Sequence, residues 1–320
     1  MKAIVQDEYG PVGVLSLREI EAPTPGPNEV LIRVHAAGVN PADWHLMTGL
    51  PQMARIALGL SRPKNPVRGM DVAGVVHSVG SAVTAFRTGD SVFGIAGGSF
   101  AEFAKASTGT LALMPESLTF VQGAAIPMAA CTALHAVRDA GLVSAGKRVM
   151  VIGAGGGIGT FAVQLAIALG ATVTGVCSTS KVDLVRSLGA EGVIDYTMND
   201  LSGHPPFDVI IDTAGNRPLS ELRSALTERG RIVIVGAEGG GKFAGNTGRQ
   251  FTAMLAPFAR QKTIGLISTE TSADLESLLE FVAAGTVHPV IDREYPLAEA
   301  AAAITRMTDG LAHGKIVLTV

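Results

Sequence analysis

Residues 147 to 181, KRVMVIGAGGGIGTFAVQLAIALGATVTGVCSTSK, constrain this chain more than any other stretch. The apolar run Val149 to Ile152 empties into a cluster of glycines, Phe161 to Leu169 continues without Gly or Pro, and Ala171 to Cys177 is again β-rich. That order reads as strand, turn, helix, strand. A turn without side chains lets backbone N–H groups and a helix N-terminus approach a pyrophosphate closely. The G-x-G-x-x-G spacing fails when started at Gly153, Gly155 or Gly157, and fits only as Ala154-x-Gly156-x-x-Gly159, with Ala in the first place. Such a cluster also marks ordinary tight turns; the flanking strand and helix favour a ligand site, with Gly155, Gly156, Gly157, Ile158 and Gly159 as its backbone.

The end of the next strand bears on which dinucleotide the site takes. A site for a free ribose 2′-hydroxyl wants Asp or Glu about 20 residues after the glycines, whereas a 2′-phosphate repels a carboxylate and wants hydroxyls and a cation. Here the strand ends Cys177-Ser178-Thr179-Ser180-Lys181, and the nearest acid in sequence, Asp183, already belongs to the next helical pattern. Lys181 alone would be read as a solvated lysine on a first helical turn. In this position after the glycines, with no competing carboxylate, it reads with Ser178 and Thr179 as a pocket for NADP(H).

The rest of the composition bounds the class. With 320 residues, 47% of them hydrophobic, the chain can bury two cores. A net charge of −3 and no Lys/Arg-rich run argue against nucleic acid or an anionic membrane as partner. The opening MKAIVQDEYG meets two acids before any apolar run, which predicts no secretory signal, and the most apolar stretch, near residues 161 to 173, is too short to span a bilayer. Two cysteines, Cys131 and Cys177, cannot build a disulfide framework, so a reducing cytoplasm is expected. Cys131 reads as a small buried hydrophobe.

Along the chain, the first 110 or so residues read as β-structure. Val30, Ile32, Val34 and Ala36 alternate with Leu31, Arg33 and His35 as in a half-buried strand, and Asp71 to Val79 and Ser91 to Ile95 predict two more. Pro51 to Met70 reads as a loop with one helical turn at most. Beyond Glu116 helix and strand alternate: a helix from Ser180 to Leu188, strands at Val193 to Tyr196 and Phe207 to Thr213, a helix from Pro218 to Arg229, then strands Arg231 to Val235 and Thr263 to Ser268. This pattern predicts a doubly wound parallel sheet, with the glycine-rich Gly236 to Gly248 as a loop at its carboxyl edge. Thr271 and Asp274 are spaced as a capping box for a helix whose Leu275, Leu278, Leu279 and Val282 share one face. The closing GKIVLTV is a strand with no neighbour following it, and the N-terminal β-domain is its expected host.

Several segments together resemble a known family: AAGVNPADWHLMTG (36 to 49), GMDVAGVVHSVGSAVTAFRTGDSVFG (69 to 94), AACTAL (129 to 134), AGGGIGTFAVQLA (154 to 166) and GKIVL (314 to 318). They are similar to the zinc-independent quinone oxidoreductase branch of the medium-chain dehydrogenases/reductases, over essentially the whole chain. The resemblance implies an α/β protein with a GroES-like β-barrel catalytic domain, residues 1 to 120 and 268 to 320, around an inserted Rossmann domain, residues 121 to 267. Zinc-dependent members carry a Cys where Asn40 stands and a His-Glu pair where Met70-Asp71 stands. A thioether and a neutral amide are poor Zn²⁺ donors, and the seven histidines form no i, i+4 pair, so no catalytic metal is expected.

Without a Lewis acid to activate an alcohol, the implied acceptors take hydride unaided: a quinone or an α,β-unsaturated carbonyl. The resemblance places Asn40 beside the nicotinamide ribose and His45 at the substrate mouth, where relatives often carry Tyr. His can stack, donate a hydrogen bond and take up a proton near neutral pH, although after Trp44 it also reads as a packing residue. Asp43 reads as structural, holding the loop through its side chain. The family further implies Thr132 at the carboxamide, Tyr196 at the 2′-phosphate, and Ala214, Gly215, Gly236 and Ala237 along the cofactor. For Lys315, an ordinary strand-end role is preferred over a cofactor contact. A homodimer through the strand Thr263 to Ser268 is implied as well. Two alternatives stay open: a non-catalytic NADPH-binding sensor or structural protein, and an alcohol dehydrogenase with a displaced zinc.

Overall fold

The computed structural model describes residues 1–201, 203–235 and 260–320. The chain divides into two compact units, one made of Met1–Ala129, Glu270–Ser277 and Pro289–Val320, the other of Ala130–Thr269 and Leu278–His288.

In the first unit, β1 (Lys2–Val5) pairs antiparallel with β2 (Ser16–Glu19). The main sheet uses β3 (Glu29–Val39), β4 (Asp71–Val79), β5 (Ser91–Ile95), β6 (Phe103–Ser107) and β7 (Leu111–Leu113). Strand β3 is its spine, paired with β4 and with β6. The expected in–out alternation along β3 is only partly kept: Arg33 is exposed, but Leu31 is buried as well as Val30 and Ile32. The register shifts at Leu31/Ile32 and Val34/Ala36, and the helix Phe120–Ala125 covers the other face, where Phe120 stacks on His35 with ring centroids 4.3 Å apart. A bulged strand covered on both sides has no solvent face to alternate with.

The second unit is a six-stranded sheet, all parallel, of β8 (Arg148–Ile152), β9 (Thr172–Cys177), β10 (Gly192–Asp195), β11 (Phe207–Asp212), β12 (Leu226–Ile234) and β13 (Lys262–Gly265), in the order β10-β9-β8-β11-β12-β13. The order reverses beside β8, the topological switch point at which such sheets bind ligands. The helix read from Pro218 to Arg229 is cut to Leu219–Ser224, and β12 begins at Leu226 rather than Arg231. Burial decides this, because Leu226 pairs with Phe207 inside the core, which a helix continued to Arg229 would forbid. Likewise the last strand spans Lys262–Gly265, short of Ser268.

Two further elements belong to the first unit: β14 (Ile291–Pro296) and β15 (Lys315–Thr319), the latter lying between β14 and β3. The unpartnered closing strand thus finds its place antiparallel to β3, with Ile316 opposite Val39. The apolar residues Ile316 and Leu318 enter the same core as Val30, Ile32, Val72 and Phe100. The helix Ser272–Ala283 starts as its sequence predicts, with Thr271 Oγ1 accepting from the Asp274 N–H at 3.2 Å.

Candidate active site

The glycine turn is shaped by close approach. After β8, Gly153 takes φ +79°, and at Gly159 a Cβ would lie 2.0 Å from the Gly153 carbonyl oxygen. Any side chain there would push the helix Gly157–Ala168 off the turn. That helix starts at Gly156 with no side-chain cap, so the N–H groups of Gly157, Ile158 and Gly159 lack intrahelical acceptors and point out of its first turn. Uncapped N–H groups at the positive end of a 12-residue helix are what a pyrophosphate needs, so the turn fits a dinucleotide. On the neighbouring strand, Ala214 lies against Gly153, and Gly215 at φ +71° donates its N–H to Asp212 Oδ1 at 2.9 Å.

The residues after β9 come to the same place. Ser178 precedes a single 3-10 turn, Thr179–Lys181, and the Lys181 stem lies over Gly155, where a Cβ would come within 2.8 Å of it. One feature of this pocket is absent from the linear reading. Strand β10 runs parallel to β9 with Asp195 opposite Cys177, so a carboxylate stands one residue from Ser178 across the sheet. Asp195 Oδ1 accepts from the Thr197 N–H at 3.0 Å and from the Thr197 hydroxyl at 2.8 Å, and the Thr197 and Thr179 hydroxyls lie 2.8 Å apart. Hydrogen bonding from the Thr179 hydroxyl, then from Thr197, holds this carboxyl below its usual range despite opposing desolvation. The Cys177 thiol is pushed up to about 11, first by burial and then by the Asp195 charge, with Lys181 and Arg186 pulling the other way. The premise that no carboxylate competes in this pocket is therefore corrected. Tyr196 is exposed and donates its N–H to the Cys177 carbonyl at 3.0 Å.

In the first unit Asn40 caps the helix Pro41–Thr48, and its N–H donates to Asp43 Oδ2 at 2.8 Å. Asp43 is thus structural, as its sequence context suggested. The Asn40 side chain is held from both ends: Nδ2 donates to Asp71 Oδ2 at 2.9 Å, and Oδ1 accepts from Lys315 Nζ. Lys315, only 2% exposed, also reaches the Val39 carbonyl at 3.1 Å and Asp71 Oδ2 at 3.4 Å, while Asp71 Oδ1 accepts from the Met128 N–H at 3.0 Å. Both Asp71 oxygens only accept, the geometry of a carboxylate. Burial raises its pKa, and the Lys315 charge opposes that. Lys315 is therefore neither a strand-end bystander nor exposed to a ligand, but one pole of a buried ion pair.

His45 Nδ1 lies 2.8 Å from the Leu50 carbonyl oxygen, and its ring meets Trp44 edge-on. A carbonyl can only accept, which assigns a proton to Nδ1. Thr132 lies on the helix Pro127–Leu134 and is nearly buried. Gly236 and Ala237 lie outside the described residues.

Residues 26–116 match the alcohol dehydrogenase GroES-like domain and residues 188–318 match the zinc-binding dehydrogenase model. A quinone oxidoreductase of Sus scrofa is 34% identical over 314 residues, covering 95% of this chain and 92% of its own. The chain belongs to the medium-chain dehydrogenase/reductase superfamily, in its quinone oxidoreductase-like branch. Among solved structures, the quinone oxidoreductase from Coxiella burnetii matches with a TM-score of 0.89 at 32% identity, over 100% of this chain and 99% of that one. A mycobacterial protein complexed with NADPH matches with a TM-score of 0.85 at 26% identity, each chain covered in full.

The name of the second matching model implies zinc, and the donors here do not fit it. Where zinc-dependent members of the superfamily place ligands, this chain puts the amide of Asn40 and the carboxylate of Asp71, with a buried ammonium already between them. A dication entering there would meet Lys315 at contact distance, and repulsion in a buried site is strong. Among the described residues no group of three or more His, Cys, Asp or Glu could hold a metal.

Proposed function

We propose that this chain is an NADPH-dependent oxidoreductase that transfers hydride to a quinone or an α,β-unsaturated carbonyl without a metal ion. The observation that carries this reading is the Asn40–Asp71–Lys315 cluster, in which a protein cation takes the place available to a metal. With no Lewis acid to lower the pKa of an alcohol, the accessible chemistry is reduction of an acceptor that is already electron-poor. The similarity to named quinone oxidoreductases supports the same class.

A bound NADPH supplies the hydride; the chain's residues bind, orient and exclude water. The first turn of the helix Gly157–Ala168 would hold the pyrophosphate, with Gly155 and Gly156 as its wall and Ala214, Gly215, Gly236 and Ala237 alongside. Ser178, Lys181 and Tyr196 would hold the 2′-phosphate, with Thr179 beside them. Thr132 is assigned to the carboxamide. Asn40, its amide fixed by Lys315 and Asp71, keeps its second Nδ2 hydrogen for the nicotinamide ribose. His45 contacts the acceptor through Nε2, and as an imidazolium it can deliver the proton that follows hydride. The unit built on β3 is read as the catalytic domain and the parallel-sheet unit as the cofactor domain, working in a reducing cytoplasm.

The test is oxidation of NADPH with a simple quinone and with an α,β-unsaturated ketone after chelator treatment, alongside metal analysis of the purified protein. Turnover that survives the chelator in a protein with less than stoichiometric zinc is expected. Stoichiometric zinc with activity lost to the chelator would return the alcohol dehydrogenase reading. Tight NADPH binding with no turnover on either acceptor would favour a sensor.

A further inference from the structure

We propose that Asp195 is a specificity-determining residue that works against Lys181: its carboxylate turns the Thr179 and Thr197 hydroxyls inward and repels a 2′-phosphate, holding the preference for NADPH over NADH below what the cation alone would give. The inference rests on the reading of Ser178 to Lys181 as the pocket for the cofactor's 2′-position.

Thr179 and Thr197 carry one hydroxyl hydrogen each. The Thr197 hydroxyl donates to Asp195 Oδ1 at 2.8 Å, and the Thr179 hydrogen is taken either by the Thr197 oxygen 2.8 Å away or by the Asp195 carboxylate itself. Both hydrogens are then directed toward the carboxylate side, and the Thr197 N–H is taken as well, at 3.0 Å. At these two hydroxyls a phosphate oxygen, which only accepts, would meet lone pairs rather than donors, leaving Ser178 and Lys181 to hold it. The charge acts in the same direction. Asp195 is opposite Cys177 in register, and both Asp195 and Lys181 act on the Cys177 thiol with opposite sign, so the two charges share one strand end with Arg186 nearby. A free ribose hydroxyl feels neither effect, since it can donate to an acceptor-rich site.

The experiment compares binding of 2′,5′-ADP and of AMP, which isolate the 2′-phosphate, by titration calorimetry on the full chain, in wild type, Asp195→Asn and Lys181→Glu. Asn keeps an oxygen for the Thr197 N–H and removes the charge, on a surface strand end where folding is not at stake. In Asp195→Asn, 2′,5′-ADP is expected to bind about three- to tenfold more tightly, with AMP changed less than about twofold. The gain should shrink as salt rises, which a merely structural effect would not do. If Lys181→Glu weakens 2′,5′-ADP while Asp195→Asn leaves it unchanged, the pocket reading stands and the role of Asp195 is overturned. If Asp195→Asn weakens it, the carboxylate supports the pocket and the proposal is again overturned. If neither variant changes 2′,5′-ADP relative to AMP, the pocket reading itself falls and takes the proposal with it.

Discussion

Lys181 owes its interest to position rather than to type, because its stem closes over Gly155 in the glycine turn. Lys181→Glu should shift the NADPH/NADH preference toward NADH by one or two factors of ten, about 1.4 kcal/mol each, read from the two dissociation constants. An unchanged ratio would remove Lys181 from the 2′-phosphate site. Asp43 gives a second prediction at this scale. It is fully buried, its Oδ1 has no partner among the described residues, and burial raises its pKa from 3.8 to about 7, with the Asn40 N–H opposing. Since the folded value is the higher one, the folded protein holds an extra proton between the two values. The contribution of Asp43 to stability is therefore full below about pH 4 and is lost as pH rises through about 7. Between about pH 5 and pH 8, denaturant titrations should show wild type losing roughly 2–3 kcal/mol relative to Asp43→Asn. Parallel pH profiles for the two proteins would contradict this. Asp43 could be read from sequence because its partner is three residues away. Asp195 could not, since it meets the pocket only through the register of two strands, and neither could the pair Lys315–Asp71, 244 residues apart.

Elements were legible where a local pattern sufficed. Strands β4 and β5 lie where alternating apolar residues and turn signals put them, and the unit from β8 to β9 forms around the expected Ala154-x-Gly156-x-x-Gly159 register. Sequence misled where a tertiary contact outweighed propensity: SALTER is good helix material, yet Leu226 is more stable buried against β11 than continuing a surface helix. The closing strand combines both lessons. Its lack of an adjacent partner was visible; that β15 delivers a cation to Asp71 was not. A strand inserted between β14 and β3 holds Lys315 rigidly, so the ammonium cannot leave to find water. Lys315→Met should then cost about 3–5 kcal/mol in urea unfolding, because Asp71 is left charged and unpaired in the core. Adding Asp71→Asn to that variant should recover part of the loss. A double variant as unstable as the sum of the two single ones would show that the ion pair is not the source of the cost.

The whole molecule poses the question of what covers the far edge of the parallel sheet. Among the described residues strand β13 is the last in the order, with β12 on one side, and an unpaired edge strand is a standing invitation to pair with another chain. Just beyond it Ile267 is 87% exposed, an aliphatic side chain that water disfavours. The partner expected from this edge is a second copy of it, related by a two-fold axis. The wild-type protein should therefore show the mass of a homodimer by light scattering at micromolar concentration. Ile267→Asp should shift it toward the 32.8 kDa of one chain, because two carboxylates brought together at an isologous contact repel each other and gain nothing from burial. The glycine turn is remote in sequence from this edge, so the variant should keep its affinity for 2′,5′-ADP. That separates loss of association from loss of fold. A wild-type chain that scatters as a monomer would leave β13 as a solvated edge and assign the exposure of Ile267 to some other contact.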